Sequence, residues 1–262
     1  PDLSDPSALG LPVTDPPKAH GRSRLVMAFW AAAALSVLLH LAQPYGRYAL
    51  YPFAFLSTWA HELGHGLTAM ICGGDFLELH LFSNLGGYAM HTATGFLARP
   101  IVSAGGLLGP SIAGAMLIVA GSRSERVARA TLALLATAVL LSLALWIRSL
   151  FGVVMAGAVG VALLALAIKG NQFFKLVVLQ FLGIQFCLGS ISDFDYMFTK
   201  NFVRGGKTLN SDTQNIAESL LLPYWVWGGL IAALSVAILL FAFYVAWIRP
   251  LAKEAKLKEI ET

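Results

Sequence analysis

Five consecutive residues, His61-Glu62-Leu63-Gly64-His65, have the types and spacing needed for metal-assisted hydrolysis. With 3.6 residues per turn, positions four apart lie on one face of a helix, so both imidazoles can reach one metal ion. Glu62, beside the first imidazole, can accept a proton from a water bound to that metal. The run around them, from about Tyr51 to Cys72, is otherwise apolar. Two imidazoles and a carboxylate are costly in hydrocarbon, so such a cluster within an apolar helix marks a functional site by default. The competing reading is a helix whose polar side chains bond to neighbouring helices.

A catalytic zinc takes three protein ligands and leaves one position for water. His61 and His65 supply two. Carboxylates within apolar stretches are scarce here, and Asp193 and Asp195 are the candidates for the third. Asp193 is preferred because Gly189, Ser190 and Ser192 before it are small enough to let it approach a metal. Asp195 is the alternative, pointing about 200° away on a helix. Either could instead cap the helix end or face water. His80 and His91 could contact substrate or metal, and His40 reads as an interfacial residue near the end of a span.

The elements that must position these groups follow from the hydrophobic pattern. Residues 1–21 are rich in Pro, Asp and Ser and read as a flexible arm. A membrane domain is expected over 22–250, and a charged tail over 251–262. Apolar runs predict spans near 25–41, 51–72, 101–120, 132–147, 151–168, 174–198 and 223–248, giving an all-α polytopic membrane protein of six or seven transmembrane helices. Gly73-Gly74-Asp75 ends the motif helix. Beyond it Leu77, Leu79 and Leu81 alternate with Glu78, His80 and Phe82, and Ser83-Asn84-Leu85-Gly86-Gly87 supplies turn residues. That pattern predicts a short membrane-associated β-hairpin over 77–92 with one edge open toward the metal. Residues 199–222 read as a polar loop.

Composition agrees with this class. Of 262 residues, 57% are hydrophobic and 12% charged, against about 25% charged in a soluble domain. The net charge of +4 does not indicate nucleic acid, because no basic stretch is interleaved with aromatics. Cys72 and Cys187 both sit in apolar surroundings and do not form a disulfide framework. The first apolar run is long enough to stay in a bilayer, so no cleavable signal is expected. With seven spans, Lys and Arg divide almost evenly between the two faces, and the positive-inside rule gives no orientation. An even number of spans with both basic ends cytoplasmic suits the rule better.

The ordered motifs resemble the site-2 protease family of intramembrane zinc metallopeptidases, in a small branch without a PDZ domain. The resemblance covers roughly residues 53–227. It is carried by His61-Glu62-Leu63-Gly64-His65, by Asn84-Leu85-Gly86-Gly87-Tyr88, by Ala104-Gly105-Gly106-Leu107-Leu108-Gly109-Pro110, and by the distal Asp193. It implies a Zn²⁺ ion, Glu62 as the catalytic base, and cleavage of a membrane-embedded or membrane-proximal protein segment. It further implies a metal nearer the cytosolic side, and a prokaryotic inner membrane is the expected location. The hairpin itself, whose exposed strand could hold a substrate by backbone pairing, offers Asn84, Gly86, Gly87, Tyr88 and His91 as the candidate substrate contacts. Two positions depart from the family pattern. Ala113 stands where the family commonly has an Asn that helps bind the substrate or its oxyanion. Ile191-Ser192-Asp193-Phe194 replaces the usual Leu-Asp-Gly context of the third ligand. The alternative function is a protease-like membrane subunit, inactive or weakly active, whose metal site is structural or supports a partner complex.

Overall fold

The computed structural model describes residues 19–92, 95–192, 194–204 and 207–250. The expected arm over 1–21 and tail over 251–262 fall outside that range, except that helix α1 begins at Ala19. Among the described residues, six helices are long and apolar enough to cross a membrane. They lie within α1 (Ala19–Leu41), α3 (Ala98–Gly121), α4 (Glu125–Leu145), α5 (Leu150–Lys169), α6 (Gln172–Ser192) with the short α7 (Phe194–Met197), and α9 (Tyr224–Phe243) with its π-helical end Tyr244–Ile248. The chain is an integral membrane protein. Helix α2 (Tyr45–Ile71) carries the His-Glu-His set and is long enough at 27 residues, but it is not among the six.

Small residues let α2 and α3 pack at contact distance. A Cβ added to Gly64 would lie 2.3 Å from the carbonyl oxygen of Gly105, and one added to Gly109 would lie 2.5 Å from that of Ala60. Such small-residue seams let helices associate where no hydrophobic force separates protein from lipid. The principal core gathers Phe55, Leu56 and Trp59 of α2 with Leu132 and Val139 of α4 and Leu176, Leu179 and Phe186 of α6. Within it, Trp59 Nε1 donates to Ser142 Oγ at 2.8 Å, so the indole's one donor is satisfied in hydrocarbon.

The expected hairpin is present as β1 (Phe76–Leu81) and β2 (Gly87–His91), antiparallel with Leu79 opposite Ala89 and Leu81 opposite Gly87. The outer edge of β1 is occupied. Leu79 N–H donates to Trp146 O and its carbonyl accepts from Arg148 N–H, while Ser149 Oγ bonds both N and O of Leu81. The same register turns the backbone of Ala89 away from β1, along an edge that no further strand covers among the described residues.

Residues 199–222 are not a loop. They form a second hairpin, β3 (Asn201–Arg204) with β4 (Lys207–Asn210), followed by the amphipathic helix α8 (Asp212–Leu220). Ser211 caps α8, its hydroxyl accepting from Gln214 N–H at 3.2 Å. Ile216 anchors the helix against Leu107, Met197 and Ile231.

Candidate metal centre

His61 and His65 project from α2 toward the first residue of α8. Their Nε2 atoms are 3.1 Å apart, and Asp212 Oδ2 lies 3.3 Å from the first and 3.4 Å from the second. Three donors on a tetrahedron of about 2.0–2.1 Å bonds stand about 3.3–3.4 Å from one another, so these separations match the ligand face of a four-coordinate zinc. The chemistry of the set, two imidazoles and a carboxylate, also fits a catalytic zinc, which keeps a further position open. His65 Nδ1 donates to the carbonyl of Val102 at 2.9 Å, which leaves Nε2 as the nitrogen available to a metal. That ring fits because residue 106 is glycine: a Cβ there would sit 2.2 Å from His65 Nε2.

Asp212 is buried and beside both imidazoles. Burial by itself raises a carboxyl pKa, but here His65 and His61 override it and hold Asp212 well below the usual carboxylate range. Tyr196 completes the surroundings: its hydroxyl donates to Asp212 Oδ2 at 3.1 Å and accepts from Asp212 N–H at 3.3 Å.

Glu62 is 7% exposed and lines the same cavity of about 710 Å³ as the three donors. It lies against the β-hairpin, where a Cβ on Gly87 would come within 2.7 Å of its Cγ. Gly87 thus makes room for the carboxylate, a reason beyond the substrate contact expected from sequence. Gly86, Tyr88 and His91 also line the cavity. The His91 ring is nearly parallel to that of His65 at 6.3 Å, and burial and the neighbouring His65 lower its pKa from the ordinary value. Asn84 lies outside the lining: its side-chain oxygen accepts from Gly86 N–H at 3.0 Å and closes the turn.

Of the two acids expected as third ligand, Asp193 lies outside the described residues. Asp195 is exposed, its backbone oxygen accepting from Thr199 Oγ1, and it is not part of the donor cluster. The carboxylate that joins the histidines is Asp212, in the segment that reads as a polar loop. The physical reason is a chain reversal: the second hairpin returns the chain, and α8 presents its first residue to α2. The available signal was Ser211-Asp212-Thr213-Gln214, a helix start with an acid in the first turn. His80 bonds Glu78 at 2.8 Å and stacks on Tyr88 outside the cavity, and His40 bonds the carbonyl of Ser36 within α1. Ala113 packs against the apolar core.

A family model described as Peptidase M50B-like matches residues 27–242. No curated protein and no solved structure matches the chain.

Proposed function

The chain belongs to the Peptidase M50B-like family, and from that premise we propose that it is an intramembrane zinc metalloprotease. It would hydrolyse peptide bonds of membrane-embedded or membrane-proximal protein segments, in a prokaryotic inner membrane. The observation that carries this reading is the convergence of Glu62 with His61, His65 and Asp212 in one cavity beside a strand edge with which no further strand pairs among the described residues. His61, His65 and Asp212 would hold the zinc. When bound, zinc polarises a carbonyl and acidifies water.

The residues of this chain supply the rest. Glu62 takes the proton of the attacking water and later delivers it to the leaving amine nitrogen. The edge of β2 at Ala89 pairs with the backbone of an extended segment, which straightens a substrate helix and frees a carbonyl from its internal hydrogen bond. Tyr88 and His91 flank that segment from the same wall. The burial of Glu62 keeps bulk water from competing for its proton.

Glu62→Gln tests the reading, because the amide keeps the shape and cannot accept a proton. The expected result is retained zinc with cleavage of a membrane peptide reduced about 10²–10⁴-fold. A second reading, the protease-like subunit with a structural metal, is favoured by Ala113, which packs into the core and offers no polar contact at the family's Asn position. Under that reading wild type and Glu62→Gln are equally inert toward every membrane peptide, while His61→Ala lowers thermal stability.

A further inference from the structure

The third metal donor comes from a different part of the chain than the other two. His61 and His65 share one continuous helix, whereas Asp212 arrives from a separate segment after the second hairpin. Side-chain ties between α8 and α3 on the surface are exposed ones, Arg99 to Asn215 at 2.8 Å and to Glu218 at 3.2 Å. Such pairs hold little against solvent. Ile216 anchors the body of α8 by apolar contact, and Ser211, buried and bonded to Lys200 O, fixes its start, while the Asp212 carboxylate takes its orientation from the groups that bond it directly.

Tyr196 bonds Asp212 directly. Its single hydroxyl bonds both the carboxylate Oδ2 and the backbone N–H of Asp212. The bonded oxygen is the one nearest the two imidazoles. One donor and one acceptor on the same residue fix its side-chain torsion and its main chain together. The ring is held in turn: it packs edge-on to Phe202 of the second hairpin at 5.8 Å and to His61 at 6.3 Å. A phenylalanine would preserve those ring contacts and lose only the two hydrogen bonds.

We propose that Tyr196 is the positioning residue of the metal centre, locking Asp212 in the orientation that completes the donor set. This rests on the reading of His61, His65 and Asp212 as the zinc site. Outer partners of metal ligands typically contribute 10–100-fold to metal affinity.

The test is chelator competition for zinc on the detergent-solubilised full chain, with wild type, Tyr196→Phe, Tyr196→Gln and Asp212→Ala. Tyr196→Phe should keep one zinc per chain with affinity lowered about 10–100-fold, a shifted visible spectrum after cobalt substitution, and a metal-free Tm close to wild type. Tyr196→Gln, whose amide can still donate, should recover part of the affinity. Unchanged zinc affinity and cobalt spectrum in Tyr196→Phe would overturn the proposal, and so would a lowered metal-free Tm with affinity intact. If Tyr196→Phe does not fold, Tyr196→Leu, which also removes the hydroxyl and offers no donor, is compared with wild type and decides in the same way. A wild-type chain that holds no zinc overturns both this proposal and the zinc-site reading, whereas a wild-type site with Tyr196→Phe unchanged overturns this one alone.

Discussion

Replacing Gly106 with alanine adds one methyl group at the most crowded point of the metal centre. That carbon would lie 2.2 Å from both Cε1 and Nε2 of His65. Non-bonded carbon contacts are favourable only near 3.5 Å, so ring and helix must part by about 1.3 Å. The ring has little room to yield, because His65 is 8% exposed and its Nδ1 is bound to Val102 O. Moving it by that amount opens the 3.1 Å and 3.4 Å separations to His61 and Asp212, which are already those of a filled tetrahedral face. A displacement of about 1 Å costs on the order of 10²-fold in a preorganised site. Overpacking itself costs about 1–3 kcal/mol of stability. Zinc content, cleavage of a membrane peptide and Tm should be measured together, with Gly229→Ala as the control, since nothing lies within 4 Å of a Cβ there. Gly106→Ala should lose zinc and activity with only a modest fall in metal-free Tm. A Gly106→Ala protein that binds zinc and cleaves like wild type would refute the geometric argument.

Gly87→Ala should separate base from metal: its Cβ would meet Glu62 at 2.7 Å, so zinc is kept while cleavage falls about tenfold or more, and equal activity at wild-type zinc content would count against Glu62 as the base. Orientation gives a further test. Arg24 pairs with Glu125 at 3.6 Å and Phe29 packs on Trp247 at 5.1 Å, so the start of α1 and the end of α9 share the face of the α3–α4 turn, away from the metal centre. Among the described residues that face carries Arg22, Arg24, Arg123, Arg126, Arg129, Lys169, Lys175 and Arg249, and the other Arg47, Arg99, Arg148, Lys200, Arg204 and Lys207, eight against six. On that small excess the positive-inside rule predicts the start of α1 and the end of α9 in the cytosol and the metal toward the opposite side, against the placement that the family resemblance implies. A cytosolic reporter fused after Ile248 should be active, and activity only of an exported-enzyme reporter there would return the metal to the cytosolic side.

What the sequence determined by itself is local and periodic. His61, Glu62 and His65 were legible because a helix converts the spacing i, i+4 into a shared face wherever the helix lies. The hairpin after α2 was legible because alternation and the Asn84–Gly87 turn are short-range signals, and the spans because length and apolarity decide them. The third donor was not legible by the same means. A carboxylate in a polar stretch carries no mark of burial, and Asp212 becomes a buried partner of α2 only through the return of the second hairpin, the anchoring of Ile216 and the hydroxyl of Tyr196. Scarcity of acids in apolar runs points instead to Asp193, which lies outside the described residues, and to Asp195, which the fold leaves exposed, because it treats polar segments as solvent-facing. Gly106 and Gly87 likewise read as packing and turn residues until the fold sets His65 and Glu62 against them. Contacts across 25 to 151 residues of chain depend on how helices cross, and one residue's type does not encode the distance to a partner that other residues bring to it.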